Sequence, residues 1–419
     1  MVTTEDMVEN LATLAKNASY KLSALTSEEK NRALLAIAKS IDEHRSLIKA
    51  ENSLDVKAAT AQSLAKPLIE RLTLSDKAID SMVESINSIV NLSDPVGKLI
   101  TSRTLDNGVE LRKIRTPIGV IGIIFESRPN VVTDVTALCL KSGNAVILRG
   151  GKEAEHSNRA IMKAIDEALT KIAFVPHAVQ MIPIADRRAV TQLCRQNGLV
   201  DVIIPRGGEA LIKAVSDAAT VPVIKHYKGV CYVYVDEAAD EDMALKICHN
   251  AKCQRPSACN AAESFLIHEN IASTFLPRLS ELFLAAEVEM RGDESCLAIC
   301  PTMKAATEAD WSTEYLDLIV SIKIVKNIGE AINHINHYGS HHSDAIVSSN
   351  KGAQLQFTKE VDSAAVYVNA STRFTDGGVF GLGAEMGIST DKLHARGPMG
   401  LEELCTYKWV GIGTGQIRD

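Results

Sequence analysis

The sequence predicts an α/β protein whose main sheet is parallel and doubly wound. From about residue 112 onward, short β-branched runs alternate with helical stretches, which is typical of βαβ units. The runs are almost entirely apolar, as expected for strands covered by helices on both faces. A hydrophobic share of 46% supplies enough side chains for a sizeable core. The predicted strands are GVIGIIF (119–125), NAVILRG (144–150), VQMIPI (179–184), DVIIPRG (201–207) and VPVIK (221–225).

The N-terminal region predicts helices rather than strands. The segment TSEE contains a capping box, because Glu29 lies three residues after Thr26. Leu34, Ile37 and Ile41 then follow at helical spacing and predict one buried stripe.

A length of 419 residues suggests two or three domains. A second α/β region begins after GVCYVYVD (229–236), with further strands near ESFLIH, SIKIV, DAIVS and AVYVN. We expect a first, ligand-binding domain over residues 1–232, interrupted by an oligomerisation strand at 104–117. A second domain over 233–400 and an oligomerisation tail over 401–419 follow it.

Two segments lead away from the predicted sheets. They are GVELRKIRTP (108–117) and TYKWVGIGTG (406–415), and we expect them to pair with another subunit. The protein is therefore expected to be a homo-oligomer.

Charge and composition exclude several classes of function. The net charge is −7 and the 45 Lys and Arg residues are scattered, so no basic stripe for nucleic acid is present. No stretch approaches the ~20 apolar residues of a membrane span, and the acidic N-terminus does not fit a signal peptide. We expect a cytoplasmic protein that acts on a small molecule.

The segment CQRPSACN places two cysteines, Cys253 and Cys259, in a polar, Pro-containing stretch. Nine cysteines at irregular spacing do not form a complete disulfide framework, and a reducing compartment disfavours one. A metal site is also disfavoured, because C-x5-C is not a usual ligand spacing. From these residues alone, a reactive thiol and a structural cysteine are equally supported. Four other cysteines have apolar neighbours and are expected to be buried: Cys139, Cys194, Cys231 and Cys248.

Two predicted strands end in the same way, ILRGGKEA and IIPRGGEA. Glycines at a strand-to-helix turn let backbone N–H groups approach an anion, and the helix N-terminus adds partial positive charge. Because each turn also carries a basic residue, dinucleotide binding and an ordinary βα turn are equally supported. No G-x-G-x-x-G motif follows any of these strands. The candidate ligand-binding residues are Arg149, Gly150, Gly151, Lys152, Arg206, Gly207 and Gly208.

Two further segments contain candidate functional side chains. In FESRPNVV the amide of Asn130 could donate to a substrate oxygen, although a turn asparagine is the commoner explanation. HINHYGSHHSDA contains four histidines, including His341 and His342. A zinc site is not favoured there, because no H-E-x-x-H occurs, and an anion-binding cleft or exposed loop histidines remain open.

Motifs along nearly the whole chain resemble the gamma-glutamyl phosphate reductases, a family of the aldehyde dehydrogenase superfamily. The resemblance is carried by IGVIGIIFESRPNV, KSGNAVILRGGKEA, IIPRGG, QRPSACNAAES, VKNIGEAINHINHYGSHHSDAI and FGLGAEMGISTDKLHARGPMGLEELCTYKW. It implies the aldehyde dehydrogenase-like fold, with a doubly wound cofactor domain, an α/β catalytic domain and a small oligomerisation element. It also implies that Cys259 is the nucleophile, that Cys253 is incidental, and that His341 and His342 belong to a substrate-side loop without a metal.

The same resemblance implies reduction of L-glutamyl 5-phosphate to L-glutamate 5-semialdehyde through a Cys259 thioester. Asn130 and the Cys259 N–H would donate to the oxyanion. NADPH would lie along the two Gly-Gly turns, with Lys152 at its 2′-phosphate and with Glu153 and Glu155 facing solvent. Arg255 and Arg396 are candidates for the α-carboxylate on charge alone. A complex with glutamate 5-kinase is a further expectation.

Hydrolytic aldehyde dehydrogenases carry a Glu that activates water at the thioester. The corresponding stretch, VIKHYKGVCY (223–232), has no acid, which fits an enzyme that exchanges acyl groups with phosphate. Two alternatives remain: a related enzyme that forms a free acid or acyl-CoA, and a non-enzymatic scaffold for the kinase.

Overall fold

The structure is a computed structural model that describes residues 3–64, 66–225 and 228–418, without the side chains of residues 66 and 67. The chain divides into two compact units. Unit 1 comprises Met1–Lys225, Gly381–Gly387 and Met399–Asp419, and unit 2 comprises His226–Phe380 and Ile388–Pro398.

Unit 1 begins with a layer of helices, as the sequence predicts. The capping box forms at the second of them, where Thr26 and Glu29 exchange side-chain and backbone hydrogen bonds. The buried stripe of Leu34, Ile37 and Ile41 lies on this helix. The helices are α1 (Thr4–Leu22), α2 (Ser27–Glu43), α3 (Arg45–Ala61), α4 (Lys66–Leu72) and α5 (Asp76–Asn91).

The centre of unit 1 is a parallel four-stranded sheet that follows two outlying strands, β1 (Leu99–Thr104) and β2 (Glu110–Pro117). Its strands are β3 (Val120–Phe125), β4 (Ala145–Gly150), β5 (Val179–Met181) and β6 (Val202–Arg206), in the order β5-β4-β3-β6. Its helices are α6 (Val131–Lys141), α7 (Glu155–Lys171), α8 (Arg187–Leu193) and α9 (Glu209–Ala218). Four of the five predicted strands are confirmed, whereas VPVIK forms only a bridge between Val223 and Ile203.

Unit 2 contains a parallel seven-stranded sheet in the order β10-β9-β11-β8-β7-β12-β13. The strands are β7 (Cys231–Val235), β8 (Ala262–His268), β9 (Glu289–Gly292), β10 (Lys304–Ala305), β11 (Ile319–Val325), β12 (Ser343–Val347) and β13 (Ala365–Val368). The helices are α10 (Glu241–Cys253), α11 (Glu269–Ala285), α12 (Glu294–Ile299), α13 (Ile328–Tyr338) and α14 (Lys351–Glu360). Strands β7 and β8 are buried along their whole length, consistent with helices on both faces.

Strands β14 (Gly387–Ser389) and β15 (Gly397–Met399) pair with each other near the end of the chain. The last strand, β16 (Cys405–Ile412), pairs antiparallel with β2, and β2 pairs antiparallel with β1. The two outlying segments therefore pair within one chain, and the sequence did not predict β1. On this sheet the Lys113 Nζ lies 3.5 Å from the centre of the Tyr407 ring.

The boundary between the two units falls after Lys225, seven residues before the predicted position. The reason is that β7, which begins at Cys231, pairs with β8 and β12 and so belongs wholly to the second sheet. Among the described residues, no helix combines the length and apolarity that a membrane crossing requires.

Candidate active site

The candidate nucleophile lies in the loop between α10 and β8. Cys259 is half-buried, and its carbonyl accepts a hydrogen bond from the Cys231 thiol at 3.3 Å. Gly229 packs against the same peptide, because a Cβ at that position would lie 2.0 Å from the Cys259 oxygen. Only glycine permits this approach, so the backbone at Gly229 packs directly against the backbone of the nucleophile loop.

A segment distant in sequence fixes the other side of this loop. The Asn260 amide donates to the Thr375 carbonyl at 2.7 Å, and the Thr372 hydroxyl donates to the Asn260 carbonyl at 2.7 Å. Thr372 and Thr375 are fully buried. These bonds cross more than 110 residues of sequence, and they make the backbone beside Cys259 rigid.

The other cysteine of the motif has a different environment. Cys253 is the last residue of α10 and packs against the apolar core of unit 2. Burial raises the pKa of its thiol, which disfavours the thiolate that acts as a nucleophile. All nine cysteines are free, and the described residues contain no cluster of His, Cys, Asp or Glu suited to a metal ion. Cys139, Cys194, Cys231 and Cys248 are buried, as predicted.

Two arginines lie close to the nucleophile. The Arg373 Nε donates to the side chain of Gln254, the residue that precedes Arg255, at 2.9 Å. Burial lowers the pKa of Arg373, the neighbouring Arg255 lowers it further, and Cys259 acts on it in the opposite direction. Within the described part of the chain, neither guanidinium forms an ion pair. Arg255 was a sequence prediction, whereas Arg373 was missed because it is distant in sequence and no motif marks it.

Arg396, the other arginine predicted to bind substrate, is engaged elsewhere. Its Nη2 lies 2.8 Å from an Asp362 carboxylate oxygen and donates to the Asp362 carbonyl at 2.9 Å. Lys392 binds the same carboxylate at 2.7 Å. Arg396 therefore fixes a loop, and the prediction from charge alone is not supported by its contacts.

The predicted histidines are also held by the protein. The Nδ1 of His341 lies 2.6 Å from the Asp362 carbonyl. His342 is fully buried, with its Nδ1 2.8 Å from the Ser343 hydroxyl and 3.8 Å from the Cys231 sulfur. His342 thus lies next to the cysteine whose thiol donates to the Cys259 carbonyl, and its contact with a substrate stays a prediction.

The stretch VIKHYKGVCY contains no acid in its own sequence, but the fold brings one to it. The Gly229 N–H donates to the Glu314 carboxylate at 2.9 Å. His226 and Tyr227 of this stretch lie outside the described residues. Sequence reasoning missed Glu314 because it precedes β11, far from this stretch in the chain.

In unit 1, Asn130 lies immediately before α6. Its amide donates to the Asp134 carboxylate at 3.0 Å, and Asp134 also accepts from the Ser85 hydroxyl at 2.9 Å. A side-chain amide has two N–H donors, so one remains for a ligand after Asp134 has oriented the group.

The two Gly-Gly turns lie at the carboxyl ends of β4 and β6, as predicted. At the second turn, the Gly208 N–H donates to the Glu126 carboxylate at 3.2 Å, and Gly208 precedes α9. A Cβ on Gly207 would lie 2.4 Å from the same carboxylate. The turn thus already binds an anionic group of the protein, and this donor fits the phosphates of a dinucleotide.

Two side chains of the first turn are held by contacts within the protein. Arg149 is buried and donates to the carbonyls of Gly150 and Ala185, and its contact with the cofactor stays a prediction. Glu153 was expected to face solvent, but it accepts hydrogen bonds from the N–H and hydroxyl of Ser127. Lys152 and Glu155 are exposed. A cavity of about 560 Å³ begins at this turn and continues along α7 and β5.

The comparisons with known proteins decide the family. An aldehyde dehydrogenase family model matches residues 2–315. Gamma-glutamyl phosphate reductase of Desulforapulum autotrophicum is 49% identical over 417 residues, with 100% of both chains covered. The Carboxydothermus hydrogenoformans protein of the same name is 52% identical over 413 residues, with 99% of this chain and 100% of that protein covered.

The crystal structure of gamma-glutamyl phosphate reductase from Thermotoga maritima superimposes with a TM-score of 0.96 at 47% identity. It covers 98% of this chain and 100% of its own. The chain belongs to the gamma-glutamyl phosphate reductase family. The predicted aldehyde dehydrogenase-like fold is thereby confirmed, and the protein is an oxidoreductase of the aldehyde dehydrogenase family.

Within this family assignment, the predicted residues fall into two sets. Cys259, Arg255, His341, His342 and Arg396 lie in unit 2, whereas Asn130 and the residues of both glycine turns lie in unit 1. The structure adds Arg373 and Glu314 to the first set and Glu126 to the second.

Proposed function

We propose that the protein reduces L-glutamyl 5-phosphate to L-glutamate 5-semialdehyde and phosphate with NADPH, the second step of proline biosynthesis from glutamate. The observation that carries this proposal is the half-buried Cys259 in a loop fixed from both sides, with two arginines that have no ion-pair partner in the described chain. The names of relatives about 50% identical over their full length support the same substrate.

In the proposed reaction, the Cys259 thiolate attacks the acyl carbon. A carbon–sulfur bond forms, the carbon–oxygen bond to phosphate breaks, and phosphate leaves with the electron pair. When bound, NADPH supplies the hydride that reduces the thioester carbonyl. The resulting thiohemiacetal collapses, expels the Cys259 thiolate and releases the aldehyde. The Asn130 amide and the Cys259 N–H would stabilise the oxyanion at each step, and losing one such donor typically costs ~10²-fold in rate.

We assign cofactor binding to the exposed Lys152 and to the turns that contain Gly150, Gly151, Gly207 and Gly208, with Arg206 beside the second turn. Lys152 is the candidate for the 2′-phosphate, which adds about two negative charges near neutral pH. Lys152→Ala should therefore raise KM for NADPH much more than KM for NADH. Equal increases would place recognition of the 2′-phosphate elsewhere.

We propose Arg255 and Arg373 as the residues that bind the substrate carboxylate. Arg396 is the weaker candidate, because it already pairs with Asp362. His341 stays a candidate for substrate binding, although its Nδ1 already lies 2.6 Å from the Asp362 carbonyl.

Purified protein should reduce NADP⁺ with glutamate 5-semialdehyde only when phosphate or arsenate is present, as followed by the absorbance of NADPH. One observation favours a second candidate, an aldehyde dehydrogenase that releases the free acid, since the Glu314 carboxylate lies at Gly229. Steady turnover without phosphate would identify that enzyme, and turnover that requires CoA would identify an acyl-CoA-forming one.

We also propose a homo-oligomer that uses the sheet of β1, β2 and β16. Its exposed apolar side chains support this, and they include Leu99, Ile100, Tyr407, Trp409 and Ile412. Trp409→Glu should shift the protein toward monomer in sedimentation experiments. A complex with glutamate 5-kinase stays a prediction, to be tested by adding purified kinase in the same experiment.

A further inference from the structure

A second cavity of unit 1, with a volume of about 330 Å³, lies beside Asn130. This volume falls at the lower end of the ~300–1,000 Å³ that is usual for small-molecule sites. Polar and charged groups form much of its wall, which indicates a small, charged ligand. These groups belong to Glu70, Arg71, Ser81, Ser85, Asn130 and Asp134.

Asp134 is the carboxylate in this wall that the fold holds most firmly. It lies in the first turn of α6, and the Ser85 hydroxyl and the Asn130 amide both donate to it. Burial raises the pKa of Asp134, an effect that these two hydrogen bonds and the more distant Arg206 oppose. In the described residues no cation lies within ion-pairing distance of it.

A half-buried carboxylate that lacks a paired cation gains from a cation that a ligand brings. The substrate in the proposed function is an α-amino acid derivative, so it carries an ammonium group as well as its anionic groups. The wall of the cavity also includes Asn130, the proposed oxyanion donor, and the Asn130 and Asp134 side chains are directly hydrogen-bonded.

We propose, on the basis of the function proposed above, that this cavity receives the α-ammonium group of the substrate and that Asp134 pairs with it. Asp134 is then a substrate-binding residue that selects an amino-acid aldehyde over an aldehyde without the amino group. The same contact to Asn130 would hold the oxyanion donor in position while the substrate is bound.

The test compares two aldehydes that differ only in the ammonium group, glutamate 5-semialdehyde and 5-oxopentanoate. Each is oxidised with NADP⁺ and phosphate by wild type and by Asp134→Asn, which keeps the shape of the side chain and an oxygen that can accept from Asn130. Glutamate semialdehyde cyclises through its amine. This does not affect the result, because variant and wild type are compared on the same substrate.

We expect Asp134→Asn to lower kcat/KM for glutamate semialdehyde about 10- to 100-fold, the range for a hydrogen bond to a charged group. The value for 5-oxopentanoate should change less than about threefold, and this activity also shows that the variant is folded. Ser85→Ala, which removes one hydrogen bond to Asp134, should affect both aldehydes equally and weakly.

Equal losses with both aldehydes would overturn the proposal and reduce Asp134 to a residue that positions Asn130. Unchanged kinetics with both would overturn it as well. Failure of the proposed function gives a different result, since wild type would then show no phosphate-dependent reduction of NADP⁺ with glutamate semialdehyde.

Discussion

The glycine turns of unit 1 and the nucleophile loop of unit 2 are both candidate reaction sites, yet they are built in opposite ways. The second turn is exposed, and its Gly208 N–H donates to the Glu126 carboxylate, whereas Gly151 of the first turn is buried and its N–H donates to the Phe125 carbonyl at 2.8 Å. The loop of Cys259 is held by buried groups that come from segments before and after it in the chain.

The difference is consistent with cofactor binding at the glycine turns and covalent chemistry at the Cys259 loop. An exposed turn whose N–H is bonded only to an exposed carboxylate, as at Gly208, suits a dinucleotide that enters and leaves in every cycle. A rigid backbone suits a nucleophile, because a displacement of about 1 Å can cost ~10²-fold in rate. Changes in the loop should therefore alter kcat, whereas changes in the turns should alter cofactor KM.

The largest effect is expected at the nucleophile. Cys259→Ser should lower reductase activity by roughly 10³-fold or more and leave NADPH binding near wild type, because the serine hydroxyl is a far weaker nucleophile. Cys253→Ser is the matched control and should keep most of the activity. An active Cys259 variant with an inactive Cys253 variant would reverse the assignment.

A smaller loss is expected at the arginine pair. Arg373→Gln should lower kcat/KM for glutamate semialdehyde roughly 10- to 100-fold, since the guanidinium would bind an anionic group of the substrate. The KM for phosphate, measured separately, shows whether that group is the carboxylate or the phosphate. Arg396→Gln provides the comparison, and a larger loss there would restore Arg396 as the substrate-binding arginine.

Asp344 is a buried carboxyl group of β12, and we expect it to make the free energy of unfolding depend on pH. Burial raises the pKa of Asp344 to about 7, and its partners are the Tyr232 N–H and the Ser363 hydroxyl. The folded state then keeps a proton that the unfolded chain loses above pH ~4. The free energy of unfolding should fall as the pH rises from about 4 to about 7.

Asp344→Asn should flatten this slope, as measured by urea denaturation at several pH values. The expected difference is about 1.4 kcal/mol per unit of pKa separation. An identical slope in the variant and the wild type would show that Asp344 is ionised in the folded state.

The smallest effect is expected at the second glycine turn. The Glu126 carboxylate occupies the Gly208 N–H and would repel a phosphate there. Glu126→Gln should lower KM for NADPH by about two- to fivefold with kcat unchanged, a modest change because the group is exposed. A higher KM in Glu126→Gln would mean that Glu126 contacts the cofactor directly and favourably.

The two regions also differ in how much of them the sequence could reveal. The glycine turns and Cys259 lie in short contiguous motifs, so local pattern and family resemblance locate them. Arg373, Glu314 and the buried position of His342 depend on β7, β12 and the loop after β13, which only the fold brings together. Arg396 was predicted to bind substrate only because it is positively charged, and its ion pair with Asp362 could not be seen without the tertiary structure. Strand β1 was missed because all six of its residues are exposed and its sequence has no apolar run.

The most direct test of the central claim, acyl transfer through Cys259, is a rapid-mixing experiment without phosphate. Enzyme, NADP⁺ and glutamate semialdehyde should give a burst of NADPH equal to about one per active Cys259 and then stop, because the thioester has no acceptor. Adding phosphate should start steady turnover, and the Cys259→Ser variant should show no burst. Steady production of NADPH without phosphate, or a burst in the Cys259→Ser variant, would contradict the account.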